Sequence, residues 1–141
     1  MNEYRYQELD IGHKETFRVT ITREMEDAFR QITGDSNPLH RDDAFALEAG
    51  QGKFSSHVTF GMLTSSFYST LAGVYLPGKY SLIHSLDIKL QKPVYCGDEL
   101  TVTGEIADKQ DELGLLILKA EIRNQKQKCV SKATMKVLCL R

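Results

Sequence analysis

Two side chains that can move protons, Asp35 and His40, lie five residues apart on either side of the turn sequence Asn37-Pro38. Such a turn can bring a carboxylate and an imidazole to one point, where together they could hold a water molecule and transfer its protons. The same residues also allow a plainer interpretation. Asp35 and Asn37 would then make only turn hydrogen bonds, and His40 would lie on the surface or pair with Asp42.

An uncharged stretch, residues 58–78, could supply a second part of a site. Its many hydroxyl and small side chains make it far less apolar than a membrane span. Leu63, Phe67 and Leu71 recur at helical spacing and predict a buried helix that begins near Gly61. The first N–H groups of a helix carry partial positive charge, and a glycine lets an acyl carbonyl approach them closely. Gly61 is therefore a candidate oxyanion donor, although it could simply begin a crowded helix.

Two further helices are predicted before this stretch. Apolar residues at helical spacing and acidic residues in the first turn indicate a helix over 23–33, with Thr22 as its cap. A short second helix is expected from Asp42 or Asp43 through Ala49, ended by Gly50. The turn that carries Asp35 and His40 would thus connect two helices.

The rest of the chain alternates apolar and polar residues, as strands do. A first strand is predicted around residues 17–21, and later strands around 100–106, 113–124 and 128–140. The longest alternation predicts that one strand face carries Tyr80, Leu82, His84, Leu86, Ile88 and Leu90. On that face His84 is expected to be a core residue bonded to backbone, and Cys129 and Cys139 are expected to pack in the core.

Composition limits the class of protein. The chain has 141 residues, 41% hydrophobic and 26% charged, with a formal charge of -1. These values predict one compact domain, residues 1–141, with no general attraction to nucleic acid and no membrane segment. Three cysteines without CxxC spacing and an N-terminus without an apolar core favour the cytoplasm. A helix needing burial beside an antiparallel sheet predicts an α+β fold whose sheet curls around the helix, with a sheet edge free for a homodimer.

Four segments carry a resemblance to a known family. They are Asp35-Ser36-Asn37-Pro38-Leu39-His40, Phe60-Gly61-Met62-Leu63-Thr64, Leu76-Pro77-Gly78 and Lys92-Pro93-Val94-Tyr95-Cys96-Gly97-Asp98. In this order, over nearly the whole chain, they resemble the MaoC-like, (R)-specific enoyl-CoA hydratases of the hotdog fold. The first segment is fairly specific for the hydratase motif, whereas the last occurs widely among hotdog proteins.

The resemblance implies reversible, cofactor-free addition of water to a trans-2-enoyl thioester of coenzyme A or acyl carrier protein, without a metal. Asp35 and His40 would bind and activate the water, and the Gly61 N–H would polarise the thioester carbonyl. Asn37 would hold the loop in shape. Ser69 aligns with a small polar position near the site in relatives, or is an ordinary packing residue. The working unit would be a homodimer or a dimer of dimers.

One position departs from the family pattern, because Phe60 replaces the histidine that commonly precedes the helix-starting glycine. His57 is three positions earlier and could approach the site, but it is expected to be a histidine of a surface loop. An acyl-CoA thioesterase of the same fold and a noncatalytic acyl-binding subunit are therefore alternatives. Asp35 with His40 in one loop favours hydration, whereas Phe60 keeps the noncatalytic alternative open.

Overall fold

A single five-stranded antiparallel sheet forms the larger part of the fold. The computed structural model describes residues 1–141. The strands are β1 (Lys14–Thr20), β2 (Ser81–Leu90), β3 (Glu99–Gln110), β4 (Leu115–Arg123) and β5 (Cys129–Cys139). Their spatial order is β1-β3-β4-β5-β2, and each neighbouring pair is antiparallel. The first two strands of the chain are therefore the two edges of the sheet.

Three α-helices precede β2, namely α1 (Arg23–Thr33), α2 (Asp43–Gly50) and α3 (Gly61–Thr70). The predictions for all three are confirmed, with α2 ending one residue later than expected. Helix α1 begins as its sequence indicates, since the Thr22 side chain accepts a hydrogen bond from the N–H of Met25. Helix α3 continues as a wider π-helical turn through Tyr75. No helix has the length and apolar content needed to cross a membrane.

Helix α3 and its π-helical turn pack against the inner face of the sheet. Tyr68, Leu71 and Ala72 are fully buried in one core with the inward residues of β3, β4 and β5. The Tyr68 hydroxyl donates to Oγ of Ser131 at 2.9 Å, which links the helix to β5. Burial raises the pKa of Tyr68 to about 12, so this phenol stays neutral. The predicted arrangement of a sheet around a helix is confirmed.

The predicted face of β2 is wrong in its first half. His84 is an extra residue in the pairing of β2 with β5, because Ile83 pairs with Val137 and Ser85 pairs with Lys136. A bulge of this kind reverses which residues face inward. The inward face consists of Ser81, Ile83, Leu86, Ile88 and Leu90, opposite buried or half-buried residues of β5. His84 is exposed rather than a core residue.

Part of the inner face is uncovered in the single chain. Leu86 and Leu90 point inward on the edge strand β2, yet they are 41% and 54% exposed. Beside them, helix α3 exposes Met62, Ser66 and Ser69, which share one face of the helix. The expectation that α3 is a buried helix therefore fails along this stripe.

Gly104 on β3 lies close to Leu71, so a larger residue at this position can test how closely the helix packs on the sheet. A Cβ on Gly104 would lie 2.7 Å from Cδ2 of fully buried Leu71. We expect Gly104→Val to lower the free energy of unfolding by about 1–3 kcal/mol, because overpacking forces buried neighbours to shift. Urea unfolding measures this loss. Thr101→Val, at a position of the same strand on the other face, should change stability by no more than about 0.5 kcal/mol; equal losses in the two variants would contradict the close contact.

Candidate active site

The loop between α1 and α2 is shaped by its own side chains. Oδ1 of Asp35 accepts a hydrogen bond from the N–H of Asn37 at 3.1 Å. Oδ1 of Asn37 in turn accepts from the N–H of Leu39 at 3.0 Å and caps the 3-10 turn Pro38–His40. These are the turn bonds of the plainer interpretation, and they leave Oδ2 of Asp35 free. Asn37 therefore shapes this loop, while its role in a site stays a prediction.

The imidazole of His40 is oriented by a backbone carbonyl. Its Nδ1 lies 2.8 Å from the carbonyl oxygen of Val58. Because a carbonyl oxygen only accepts hydrogen bonds, Nδ1 must carry the proton of this bond. In the neutral ring Nε2 then has a free lone pair, and it faces Oδ2 of Asp35 at 3.9 Å. The loop thus brings the two groups together, and the His40 side chain is only 15% exposed.

Phe60 supports the imidazole from one side. It is 1% exposed, and its ring centroid lies 4.3 Å from that of His40 at an interplanar angle of 32°. The ring also packs on Phe29, with the Arg30 guanidinium 5.7 Å from its centroid. Phe60 does not line the cavity onto which His40 opens. The residue in the place of the usual histidine therefore acts here as packing beneath His40.

His40 opens onto a largely apolar cavity of about 310 Å³. The wall comes from the segment before α3, from α3 itself, from β2 and the residues after it, and from β5. It consists of His40, Phe54, Val58, Thr59, Gly61, Thr64, Leu90, Gln91, Lys92, Pro93, Val94 and Val130. A Cβ on Gly61 would lie 2.5 Å from Cδ1 of Leu90, so a larger residue would narrow this space. The start of α3 therefore faces the same cavity as the imidazole.

The structure does not bring Ser69 to this cavity. It lies two turns after Gly61 and is exposed on the uncovered stripe of α3, beside Ser66 and Met62. The cavity wall of the single chain does not include Ser69. Its expected role in the site remains a prediction.

A charged cluster behind the site was missed by the sequence reasoning. The buried carboxylate of Glu26 on α1 accepts from the Thr59 hydroxyl at 2.8 Å and lies 3.2 Å from Nε2 of His57. Nδ1 of His57 lies 2.6 Å from Oδ1 of Asp43 on α2. His57 is therefore not a free surface histidine, because its side chain is 12% exposed and bridges two helices. Only the acidic residues on α1 and α2 hinted at this cluster, and they also suit ordinary helix starts.

The cluster favours the charged form of His57. Burial alone would lower the pKa of His57, but the hydrogen bonds and charges of Asp43 and Glu26 outweigh it and raise the pKa. The backbone and side-chain hydrogen bonds from His57 lower the pKa of Asp43. The small polar space around the cluster is lined by Arg23, Glu26, Asp27, Arg30, His40, Arg41 and His57. The His57 ring therefore ties α1 and α2 to the segment that begins the site.

The fold and the site together define an α+β protein in which a sheet around a helix carries an Asp–His pair at the mouth of an apolar cavity. Residues 8–126 match the model of the MaoC like domain family. Over 119 residues the chain is 32% identical to an (R)-specific enoyl-CoA hydratase of Aeromonas caviae, which covers 84% of this chain and 87% of that protein.

Solved structures agree with this assignment. An R-hydratase of Pseudomonas aeruginosa in its unliganded form matches with a TM-score of 0.87 and 26% identity, over 96% of this chain and 84% of that one. An (R)-hydratase from A. caviae involved in PHA biosynthesis matches with a TM-score of 0.86 and 30% identity, over 94% and 98%. The chain belongs to the MaoC-like family, has the hotdog fold, and is an enzyme of the hydratase and dehydratase type.

The charged cluster predicts a pH-dependent contribution to stability. We expect His57→Asn to lower the free energy of unfolding by about 3 kcal/mol near pH 6, because the Glu26 carboxylate loses its buried partner. The pKa of His57 is raised in the folded state, so its contribution is complete below the unfolded value of about 6.5 and is lost as the pH rises through the folded value.

Denaturant unfolding of both proteins between about pH 6 and pH 9 measures the difference. His13→Asn is a matched control, since His13 pairs with Glu15 at 3.1 Å in a more exposed setting and its loss should cost about 0–1 kcal/mol. A His57→Asn difference that grows toward alkaline pH would show that His57 is not held as a cation.

Proposed function

We propose that this enzyme adds water reversibly across the double bond of a trans-2-enoyl thioester and gives an (R)-3-hydroxyacyl thioester. The observation that carries the proposal is the pair formed by Nε2 of His40 and Oδ2 of Asp35, 3.9 Å apart beside an apolar cavity. The acyl carrier is coenzyme A or acyl carrier protein. The proposed reaction uses no cofactor and no metal.

The pair suits a single water molecule. A separation of 3.9 Å allows one water oxygen to lie within hydrogen-bond distance of both groups. The free lone pair on Nε2 of His40 accepts a proton from this water as its oxygen bonds to the beta carbon. The Asp35 carboxylate orients the water, and the pair returns a proton to the alpha carbon. The carbon–carbon π bond is thereby replaced by one C–O and one C–H bond.

The start of α3 suits the carbonyl of the same substrate. As water adds, negative charge develops on the thioester oxygen, and it needs a hydrogen-bond donor in a site shielded from water. The Gly61 N–H is the first N–H of α3 and has no partner within the helix. A Cβ on Gly61 would lie 2.5 Å from Cδ1 of Leu90, so glycine lets the start of the helix approach this part of the cavity wall. Asp35, His40 and Gly61 are thus the proposed catalytic residues, with Asn37 and Phe60 in support.

Crotonyl-CoA tests the reaction. The wild-type enzyme should remove the enoyl absorbance without releasing free thiol, whereas a thioesterase would release thiol and a noncatalytic acyl-binding subunit would do neither. We expect Asp35→Asn and His40→Ala each to lower kcat/KM about 10²–10⁴-fold, because the proton-transfer groups are lost. Asp10→Asn, an exposed control, should retain activity. Full activity in either site variant would refute the assigned roles.

We also propose that the working unit is a homodimer formed along β2. This edge strand has one unpaired side, and its inward residues Leu86 and Leu90 are exposed beside the uncovered stripe of α3. A second copy that pairs with this edge would cover both the leucines and the stripe. Such a copy would also lie next to Leu90 in the cavity wall.

A charge at this edge should separate the copies. We expect Leu86→Lys to shift the protein from dimer to monomer in sedimentation velocity, since a lysine would be desolvated in the interface. Leu113→Lys is the matched control, because Leu113 is 66% exposed in the turn between β3 and β4. A wild-type protein that sediments as a monomer would refute the dimer.

The cytoplasm is the proposed compartment, and residues 1–141 the proposed single domain. All three cysteines are unpaired, as expected where thiols are kept reduced. All five strands belong to one sheet with one main core, which supports a single unit.

A further inference from the structure

One buried polar side-chain atom in the chain has no hydrogen-bond partner, and it lies in the wall of the cavity. This atom is Oγ1 of Thr64, whose residue is 1% exposed. Leaving a buried hydroxyl unpaired costs about 1–3 kcal/mol, so a fold rarely retains one without a reason. Its place in the wall indicates that the partner is a molecule that enters the cavity.

The neighbouring hydroxyls on the same helix behave differently. Oγ of Ser65 donates to the carbonyl of Gly61 at 2.8 Å, and Oγ of Ser66 donates to that of Leu63 at 2.6 Å. Thr64 could bond back to the preceding turn in the same way, as threonines in helices often do. The carbonyl of Phe60 already accepts the N–H of Thr64 at 3.1 Å, and the Thr64 hydroxyl makes no such bond. Its donor is therefore available to the cavity.

Helix geometry places this hydroxyl near the N–H of Gly61. Residues three apart lie on one face of a helix, and side chains lean toward its N-terminus. The Thr64 side chain therefore leans toward the first turn of α3, which begins at Gly61. Both residues line the same cavity. Two donors, one from the backbone and one from a side chain, thus face one region at the start of α3.

We propose that the Thr64 hydroxyl is a second hydrogen-bond donor to the thioester carbonyl oxygen of the substrate, beside the Gly61 N–H. This role rests on the proposed function and adds a residue to it. When the water oxygen bonds to the beta carbon, the π electrons of the double bond move toward the carbonyl and make an enolate oxygen. Thr64 and Gly61 hydrogen-bond that oxygen until the alpha carbon takes a proton, and neither residue loses its own proton.

The isosteric variant Thr64→Val tests this role by separating activity from stability. We expect kcat/KM for crotonyl-CoA to fall about 10²-fold through kcat, the lower end of the range for loss of one oxyanion donor. The melting temperature should stay the same or rise, because the variant removes an unpaired buried hydroxyl. Thr64→Ser should recover most of the activity, since it keeps the donor.

Thr70→Val is the matched control, at the end of the same helix and outside the cavity wall. It should keep the wild-type kcat/KM. Unchanged kinetics in Thr64→Val would overturn the proposal, and so would a rise in KM alone, since that would mean equal binding of substrate and transition state. A loss of kcat that Thr64→Ser does not recover would also overturn it.

A readout without turnover distinguishes this proposal from the function itself. Acetoacetyl-CoA forms an enolate with its own ultraviolet absorbance, and donors at the carbonyl oxygen increase the enolate fraction of the bound ligand. We expect a smaller enolate fraction bound to Thr64→Val than to wild type at the same pH. Equal fractions would overturn the role of Thr64. A wild-type protein that fails to hydrate crotonyl-CoA, but shows this Thr64-dependent enolate, would refute only the proposed reaction.

Discussion

The site depends on one hydrogen bond, from Nδ1 of His40 to the carbonyl oxygen of Val58. It joins a side chain of the loop after α1 to a backbone group just before α3, 18 positions away. The bond fixes the ring orientation and determines which nitrogen keeps its lone pair. If the Val58 carbonyl moved, Nε2 of His40 would no longer face Asp35. The position of residues 57–59 therefore controls the geometry of Asp35 and His40, the proposed catalytic pair.

Three kinds of contact hold those residues in place. The N–H of Val58 donates to the carbonyl of Leu39, and the N–H of Thr59 donates to that of Val94. The side chains of His57 and Thr59 bind the buried Glu26 carboxylate. Backbone bonds set the path of the segment, and the charged cluster connects it to α1 and α2. Phe60, between this segment and α3, contributes an apolar ring that packs on His40, whereas the polar side-chain contacts of the segment are made by His57 and Thr59.

The sequence patterns predicted the helices and strands well, because each of these elements repeats its buried side chains at a spacing that can be recognised within a few residues. Helix α1 and its Thr22 cap follow directly from spacing along the chain, and so does the burial of Cys139 on β5, although Cys129 is only half-buried. Asp35 and His40 could be paired in advance because only one turn separates them. The bulge at His84 was missed because Leu82 and Ile83 are both apolar, and spacing alone allows either of them to face inward.

Other features depend on tertiary structure and left little trace in the sequence. Glu26 and His57 are 31 positions apart, and their contact depends on how α1 packs beside the start of α3. Whether a buried hydroxyl has a hydrogen-bond partner likewise depends on all the atoms around it. From the sequence, Thr64 is therefore only one more residue of an uncharged helix. The Glu26–His57 contact and the unpartnered Thr64 hydroxyl depend on distances and burial, which local sequence patterns do not encode.

The cavity wall includes residues from a loop and residues from the sheet, two parts of the chain that natural selection can change independently. Asp35 and His40, the proposed proton-transfer pair, lie on a loop, whereas Leu90 and Val130 enter the wall from β2 and β5. Substitutions on the strands can change the depth and shape of the acyl compartment without altering the loop. A lineage of such proteins can therefore diversify in the acyl groups it accepts through point changes in the sheet, while a single catalytic loop is inherited unchanged.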